Sequence, residues 1–131
     1  MFAEPASVPG ATPVGMTQGE PNLDAVSVLA DEYALRILLT IEDQPRTAAE
    51  IVRVANLPPA ACYRRLRTLV AAGLATQEGS VPSKNGKPAQ QYLAAVSRFR
   101  VVFEDGQLLV NFDLRAGGTR ELVLRLPIEN P

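Results

Sequence analysis

The chain has 131 residues, with 13 basic and 14 acidic side chains, a formal net charge of −1 and a pI near 5.4. That balance excludes a uniformly basic coat for polyanions. The absence of histidine removes the usual general base, and a single cysteine allows neither a disulfide framework nor a four-thiolate metal centre.

Residues 1–21 hold Pro5, Pro9, Pro13 and Pro21 with Gly10, Gly15 and Gly19, and no apolar periodicity. A disordered tail is expected there. It has neither a basic start nor a continuous apolar run, so it does not read as a signal peptide, and no stretch of the sequence is apolar for long enough to span a bilayer. A cytoplasmic protein with no membrane partner is the expectation. Asp24 is placed to cap a helix to about Ala30, and Asp31-Glu32 to start another through Ile41. Val26, Leu29, Tyr33, Ile37, Leu38 and Ile41 recur at helical spacing and should supply core. Val28 and Leu35 are additional apolar residues, more than one chain is expected to cover, and hint at a seam between subunits.

Thr47 to Leu74 is the most informative stretch. Thr47 and Glu50 have the spacing of a capping box, which starts a helix whose inward stripe is read as Ala48, Ile51, Val54 and Ala55. Asn56-Leu57 breaks this helix. Pro58-Pro59 restarts one, since proline suits a first turn, and Gly73 closes it where a left-handed residue is wanted. The result is a helix-turn-helix, a unit whose second helix often enters the major groove of DNA. At 100° per residue, Cys62, Leu66 and Leu69 form the buried stripe of this second helix, about 59–72. Ala60, Arg64, Arg67 and Ala71 lie opposite, with Tyr63 on one flank. Arg65 falls nearer the buried edge and suits a partner carboxylate on a packed helix, or a flanking phosphate. Small Ala60 and Ala61 would allow close backbone approach to DNA.

Leu74 to Gln77 reads as a short strand and Gln90 to Ala94 as its return. Between them lies a loop rich in Gly, Pro, Ser and Asn, with Lys84 and Lys87 near its tip and Asn85-Gly86 as a turn signal. A basic hairpin over 79–89 directly after a recognition helix is the wing of a winged helix. Further on, Arg98 to Phe103 alternates, Asp105-Gly106 turns, Leu108 to Leu114 returns, and Gly117-Gly118 leads into Glu121 to Leu126. A meander this small must cover something. Dimerisation ranks first, packing on the winged unit second, and an effector site third, because no polar cluster marks a pocket.

Charge is unevenly placed. Between Gln44 and Tyr92 lie Arg46, Arg53, Arg64, Arg65, Arg67, Lys84 and Lys87 against only Glu50 and Glu78, a local balance of +5 within the acidic chain. A local basic field attracts phosphates, so this segment points to a nucleic-acid partner where the whole-chain balance does not. Enzyme chemistry has little to stand on. No GxSxG, Gly-rich phosphate loop or spaced metal-ligand motif occurs, and the tandem acids Asp31-Glu32, Glu42-Asp43 and Glu104-Asp105 sit where helices start or chains turn.

Asp31 to Ile41 (DEYALRILLTI), Pro45 to Ile51 (PRTAAEI) and Leu57 to Leu74 (LPPAACYRRLRTLVAAGL) together resemble winged-helix regulators of the ArsR type, particularly the large archaeal branch. The resemblance covers roughly residues 22–96. It implies an α+β fold: a winged helix-turn-helix of three to four helices and a β-hairpin wing over 22–96, followed here by the small antiparallel β-meander of 97–131. It also implies sequence-specific binding of double-stranded DNA by a homodimer that regulates transcription. The residues expected at the DNA are Arg46, Thr47, Ala60, Ala61, Tyr63, Arg64, Arg67, Lys84 and Lys87. In this family the first helix often joins a dimer interface, and many members sense metals through paired thiolates or clusters of histidine and carboxylate. This sequence departs from those sensors, with no histidine and with Cys62 on a buried stripe, so no metal or cofactor is expected and any effector is left open. The alternative from another class is a winged-helix module that binds a protein partner without sequence-specific DNA binding.

Overall fold

The computed structural model describes residues 25–125. The expected N-terminal tail, the Asp24 cap and Leu126 lie outside the described residues. Of the described residues, 25–95 cluster in one compact unit and 96–125 in another. The fold is α+β, a winged helix-turn-helix followed by a β-meander.

In the first unit a helical turn over 25–28 leads to α1 (Glu32–Thr40), a two-residue strand β1 (Arg46–Thr47), α2 (Ala48–Ala55), α3 (Pro59–Ala71) and the strands β2 (Ala75–Pro82) and β3 (Pro88–Ala94). Asp31 starts α1 because its carboxylate accepts the N–H groups of Tyr33 and Ala34, two of the donors a helix start leaves unpaired. At α2 the capping box forms as read: Glu50 Oε1 accepts the Thr47 N–H at 2.8 Å, and Thr47 Oγ1 accepts the Glu50 N–H at 3.2 Å. Asn56 ends α2 in the left-handed conformation at φ 58°. Gly73, at φ 79°, ends α3, and Leu74 N–H reaches back to the Leu69 carbonyl.

The core of this unit is the meeting of one stripe from each helix. Ile37 and Leu38 from α1 with Ile41 at its C-terminal cap, Ala48 and Ile51 from α2, and Cys62, Leu66 and Leu69 from α3 are all buried, with Leu57, Leu74 and Ala94 around them. Two expectations are corrected here. Val54 is 52% exposed, since it lies about 60° to one side of Ile51 whereas the core contact of α2 lies on the other side, through Ala48 and Ala55. Val28, read as surplus for a subunit seam, is already buried in the single chain, and Leu35 is half-buried. Burial also pushes the pKa of the Cys62 thiol above its ordinary value, because the thiolate would lose its hydration.

The sheet order is β1-β3-β2, all antiparallel, with Arg46 opposite Tyr92 and Thr47 opposite Gln91. The two-residue β1 was not foreseen, as so short a strand has no period to read. It ties the start of α2 to the root of the wing. The wing strands run further than expected, to the facing pair Pro82 and Pro88, with a register shift between Gln77 and Ser80 at Gly79, φ 120°. Proline is tolerated in these places because β2 is an edge strand and Pro88 is the first residue of β3. The wing therefore ends in the tight turn Ser83 to Lys87, closed by Ser83 N–H to the Lys87 carbonyl at 3.1 Å.

The second unit is the three-stranded meander β4 (Val96–Glu104), β5 (Gln107–Leu114) and β6 (Thr119–Arg125), in that order. Asp105 and Gly106 both have positive φ, 51° and 73°, as a two-residue hairpin of this hand requires. Val110, Phe112 and Leu122 are buried, and Phe112 meets Phe99 edge-on at 5.2 Å between ring centres. Arg98 and Arg100 both reach Asp113 across the opposite face.

Two stability measurements follow. Leu69→Ala should cost about 2–5 kcal/mol in urea unfolding, through lost transfer energy plus a cavity, whereas Val54→Ala should stay within about 0.5 kcal/mol. With its folded pKa raised above the unfolded one, Cys62 binds its proton more tightly in the native state. Its contribution is therefore intact below about pH 8.5 and declines as pH rises beyond it. A Cys62→Ala variant should show a shallower alkaline decline than the parent chain.

Candidate nucleic-acid interface

The outer face of α3 follows from the phase of its buried stripe. With Cys62, Leu66 and Leu69 inward, Ala60, Tyr63, Arg64, Arg67 and Ala71 are exposed, Tyr63 at 50%. Arg65 behaves differently. Its Nε donates to Asp31 Oδ2 at 3.0 Å, and its guanidinium lies 5.2 Å from the centre of the Tyr33 ring. The Asp31 carboxylate thus caps α1 and holds α3 at once. Arg36 is taken up as well, by Glu32 one turn earlier, and its guanidinium lies 5.8 Å from the centre of the Tyr33 ring.

The remaining cations are differently placed. Among the described residues Arg53, Arg64, Arg67, Lys84 and Lys87 form no ion pair and all five are exposed. The local carboxylates have other occupations. Glu50 is held in its capping box, and Glu78 accepts from Thr76 Oγ1 at 2.7 Å. An open groove of about 870 Å³ runs between the start of α2, Tyr63 of α3 and the wing. Thr47, Arg53, Tyr63, Lys84, Lys87 and Gln90 are among the residues that line it. Three cations, two phenols and two amides line this space, while its one carboxylate, Glu50, is engaged by the Thr47 N–H. The groove's chemistry is that of an anion-binding channel.

Of the residues expected at DNA, Tyr63, Lys84 and Lys87 come together at the groove, and Ala60, Arg64 and Arg67 share the adjoining exposed face of α3. Ala61 does not join them. It is 8% exposed, because the buried arc of α3 spreads over the flank carrying Arg65 and Ala72, and Ala61 lies one turn before Arg65 on that flank. Thr47 lines the groove but is itself 8% exposed, with its hydroxyl engaged at the Glu50 N–H. Arg46 is half-buried, and its Nε donates to the Thr40 carbonyl at 2.9 Å, holding it over the end of α1. Arg53 is the addition. It was counted in the local charge but not singled out, although its spacing of four from Ala49 puts both on one face of α2, and both line the groove.

Among the described residues no cluster of three or more His, Cys, Asp or Glu could hold a metal ion, and no helix is long and apolar enough to cross a membrane.

Residues 29–78 match a family model described as a helix-turn-helix domain, a span that runs from just before α1 into β2. No curated protein matches the chain. That match agrees with the helix-turn-helix geometry of α2 and α3, whose exposed cations lie on the outer face of α3 and along the wing groove.

The division of labour among the arginines is measurable without DNA. Arg65→Ala should destabilise the fold by about 1 kcal/mol, since it strips a part-buried partner from the Asp31 cap. Arg64→Ala and Arg67→Ala should each stay within about 0.5 kcal/mol in the same denaturant titration.

Proposed function

We propose that this protein is a sequence-specific regulator of transcription that binds double-stranded DNA as a homodimer, with α3 in the major groove and the wing along the sugar–phosphate backbone. The observation that carries the reading is the set of five exposed cations on α2, α3 and the wing turn that no described carboxylate neutralises. Charges solvating an ordinary surface are interspersed with acids, whereas these five are grouped within an otherwise acidic chain.

Each residue takes a role from its position. Arg64 projects from the middle of the outer face of α3, where a guanidinium can read guanine O6 and N7 bidentately. Tyr63 stands between that face and the groove and contacts a base edge or sugar. The methyl group of Ala60 is too small to hold the helix start off the duplex. Arg67, Arg53, Lys84 and Lys87 neutralise phosphates, which sets affinity and register without selecting sequence. Thr47 and Arg46 position α2 and the wing root rather than contact bases, given their hydrogen bonds inside the fold. Two copies related by a two-fold axis would place their α3 helices in successive major grooves about 34 Å apart, on an inverted repeat. The reading is of a binding protein and not an enzyme, active in the compartment that holds the DNA.

A winged helix can also serve as a module for protein partners, and one experiment separates the two. In gel retardation or anisotropy, log K should fall against log salt with a slope of about −5 to −7 if a dimer engages six to eight phosphates. A protein-docking module should show no salt-sensitive retardation. On a site selected from random duplexes, Arg64→Ala should cost about 1–3 kcal/mol and relax preference at one base position, whereas Lys84→Ala should weaken all sequences alike. Equal losses on selected and random DNA from Arg64→Ala would refute its base-reading role.

A further inference from the structure

The meander carries a strand edge that the DNA-binding reading leaves unused. Every residue of β4 from Ser97 to Glu104 is exposed or half-exposed, and Val101, Val102 and Phe103 stand at 51%, 38% and 81%. In the sheet order β4-β5-β6 this is an outer strand, nine residues long. Its guards against pairing are few: it has no proline or lysine, its register irregularity lies only at its start, between Val96 and Arg98, and its charges, Arg98, Arg100 and Glu104, are of both signs.

Its polarity can be worked out from the turn. Asp105-Gly106 closes on the pair Glu104 and Gln107, and the closing pair of a two-residue hairpin exchanges both hydrogen bonds. By alternation, Arg98, Arg100, Val102 and Glu104 spend their main-chain groups on β5. The N–H and C=O groups of Phe99, Val101 and Phe103 therefore point out from the open edge.

We propose that β4 pairs antiparallel with β4 of a second copy about a two-fold axis through Val101, joining two meanders into one continuous sheet. The side chains select this register. Val101 meets its own copy, Phe99 of one chain faces Phe103 of the other, and Arg98 faces Glu104 at both ends. Glu104 has no ion pair among the described residues, and Arg98 holds Asp113 only loosely, at 3.8 Å beside the closer Arg100 at 3.1 Å. A slip of two residues one way sets Arg100 against its own copy. The other way it sets Phe99 against the acidic turn residue Asp105. The outer edge of β6 is the poorer candidate, since Leu122, Val123 and Leu124 are already buried or half-buried and pairing there would remove less apolar surface from water.

This assignment deepens the homodimer reading above by naming the surface that joins the copies. The test is sedimentation equilibrium of the full chain with two variants. Val101→Pro deletes an outward N–H that β5 does not use, and Phe103→Lys sets a charge on the paired edge at a position 81% exposed in the single chain. The parent chain should sediment as a dimer, and each variant should raise the dimer dissociation constant at least about tenfold with an unchanged far-UV spectrum. Val101→Cys should cross-link to twice the chain mass under mild oxidation, with buried Cys62 as the unreactive control. If Val101→Pro perturbs the meander, Phe103→Lys alone decides. A monomeric parent, or a dimer indifferent to Phe103→Lys, would overturn the edge pairing while leaving salt-sensitive DNA retardation as the separate measure of the DNA reading.

Discussion

The rotational setting of α3 about its own axis governs what this surface presents, and two interactions set it. The larger is burial of Cys62, Leu66 and Leu69 against α1 and α2, which removes three apolar side chains from water. The second is directional. Asp31 caps α1 and receives Arg65, so the flank of α3 that carries Ala61, Arg65 and Ala72 is drawn against α1. With that flank committed, Arg64 and Arg67 have only solvent to face. A rotation of one residue position, about 100°, would bury an arginine and expose a core leucine. The cost of either is far above the worth of a surface ion pair.

Electrostatics then acts through omission. The chain is acidic overall, yet the carboxylates nearest the basic surface are spent internally: Asp31 on a helix cap and Arg65, Glu50 on a capping box, Glu78 on a threonine hydroxyl. These contacts are worth little individually. Their joint effect is to leave Arg53, Arg64, Arg67, Lys84 and Lys87 without an internal counter-charge among the described residues. The capping box thus serves stability and electrostatics in one contact, because it starts α2 and engages the one carboxylate lining the groove with a backbone N–H rather than with a groove cation.

Much of this was legible in the sequence, and the failures have physical causes. Helix starts and stops were readable because their signals are local: Asp31, the Thr47–Glu50 box, Asn56, Pro59 and Gly73 act within a few residues of themselves. The buried stripe of α3 and the loss of Arg65 from its outer face followed from phase alone. Val54 and Ala61 were misplaced because periodicity fixes neither the exact centre nor the width of a buried arc, which depend on the neighbouring helices, and Val28 because the residues that cover it within one chain are not visible in its own spacing. Strand β1 and the full length of β2 and β3 escaped notice because partners distant in sequence, Tyr92 for Arg46 and Pro88 for Pro82, hold those residues in strand. Arg53 was visible as charge, but its place in the groove needed the wing folded beside α2.

The most direct test of the central claim is an amide chemical-shift titration of the full chain with a short duplex at low salt. Changes should concentrate at Ala60, Tyr63, Arg64, Arg67, Arg53 and the wing turn from Ser83 to Lys87, leave Arg65 and β5 near their starting positions, and reverse on adding salt. Absence of any shift, or shifts confined to residues outside α2, α3 and the wing, would contradict the account.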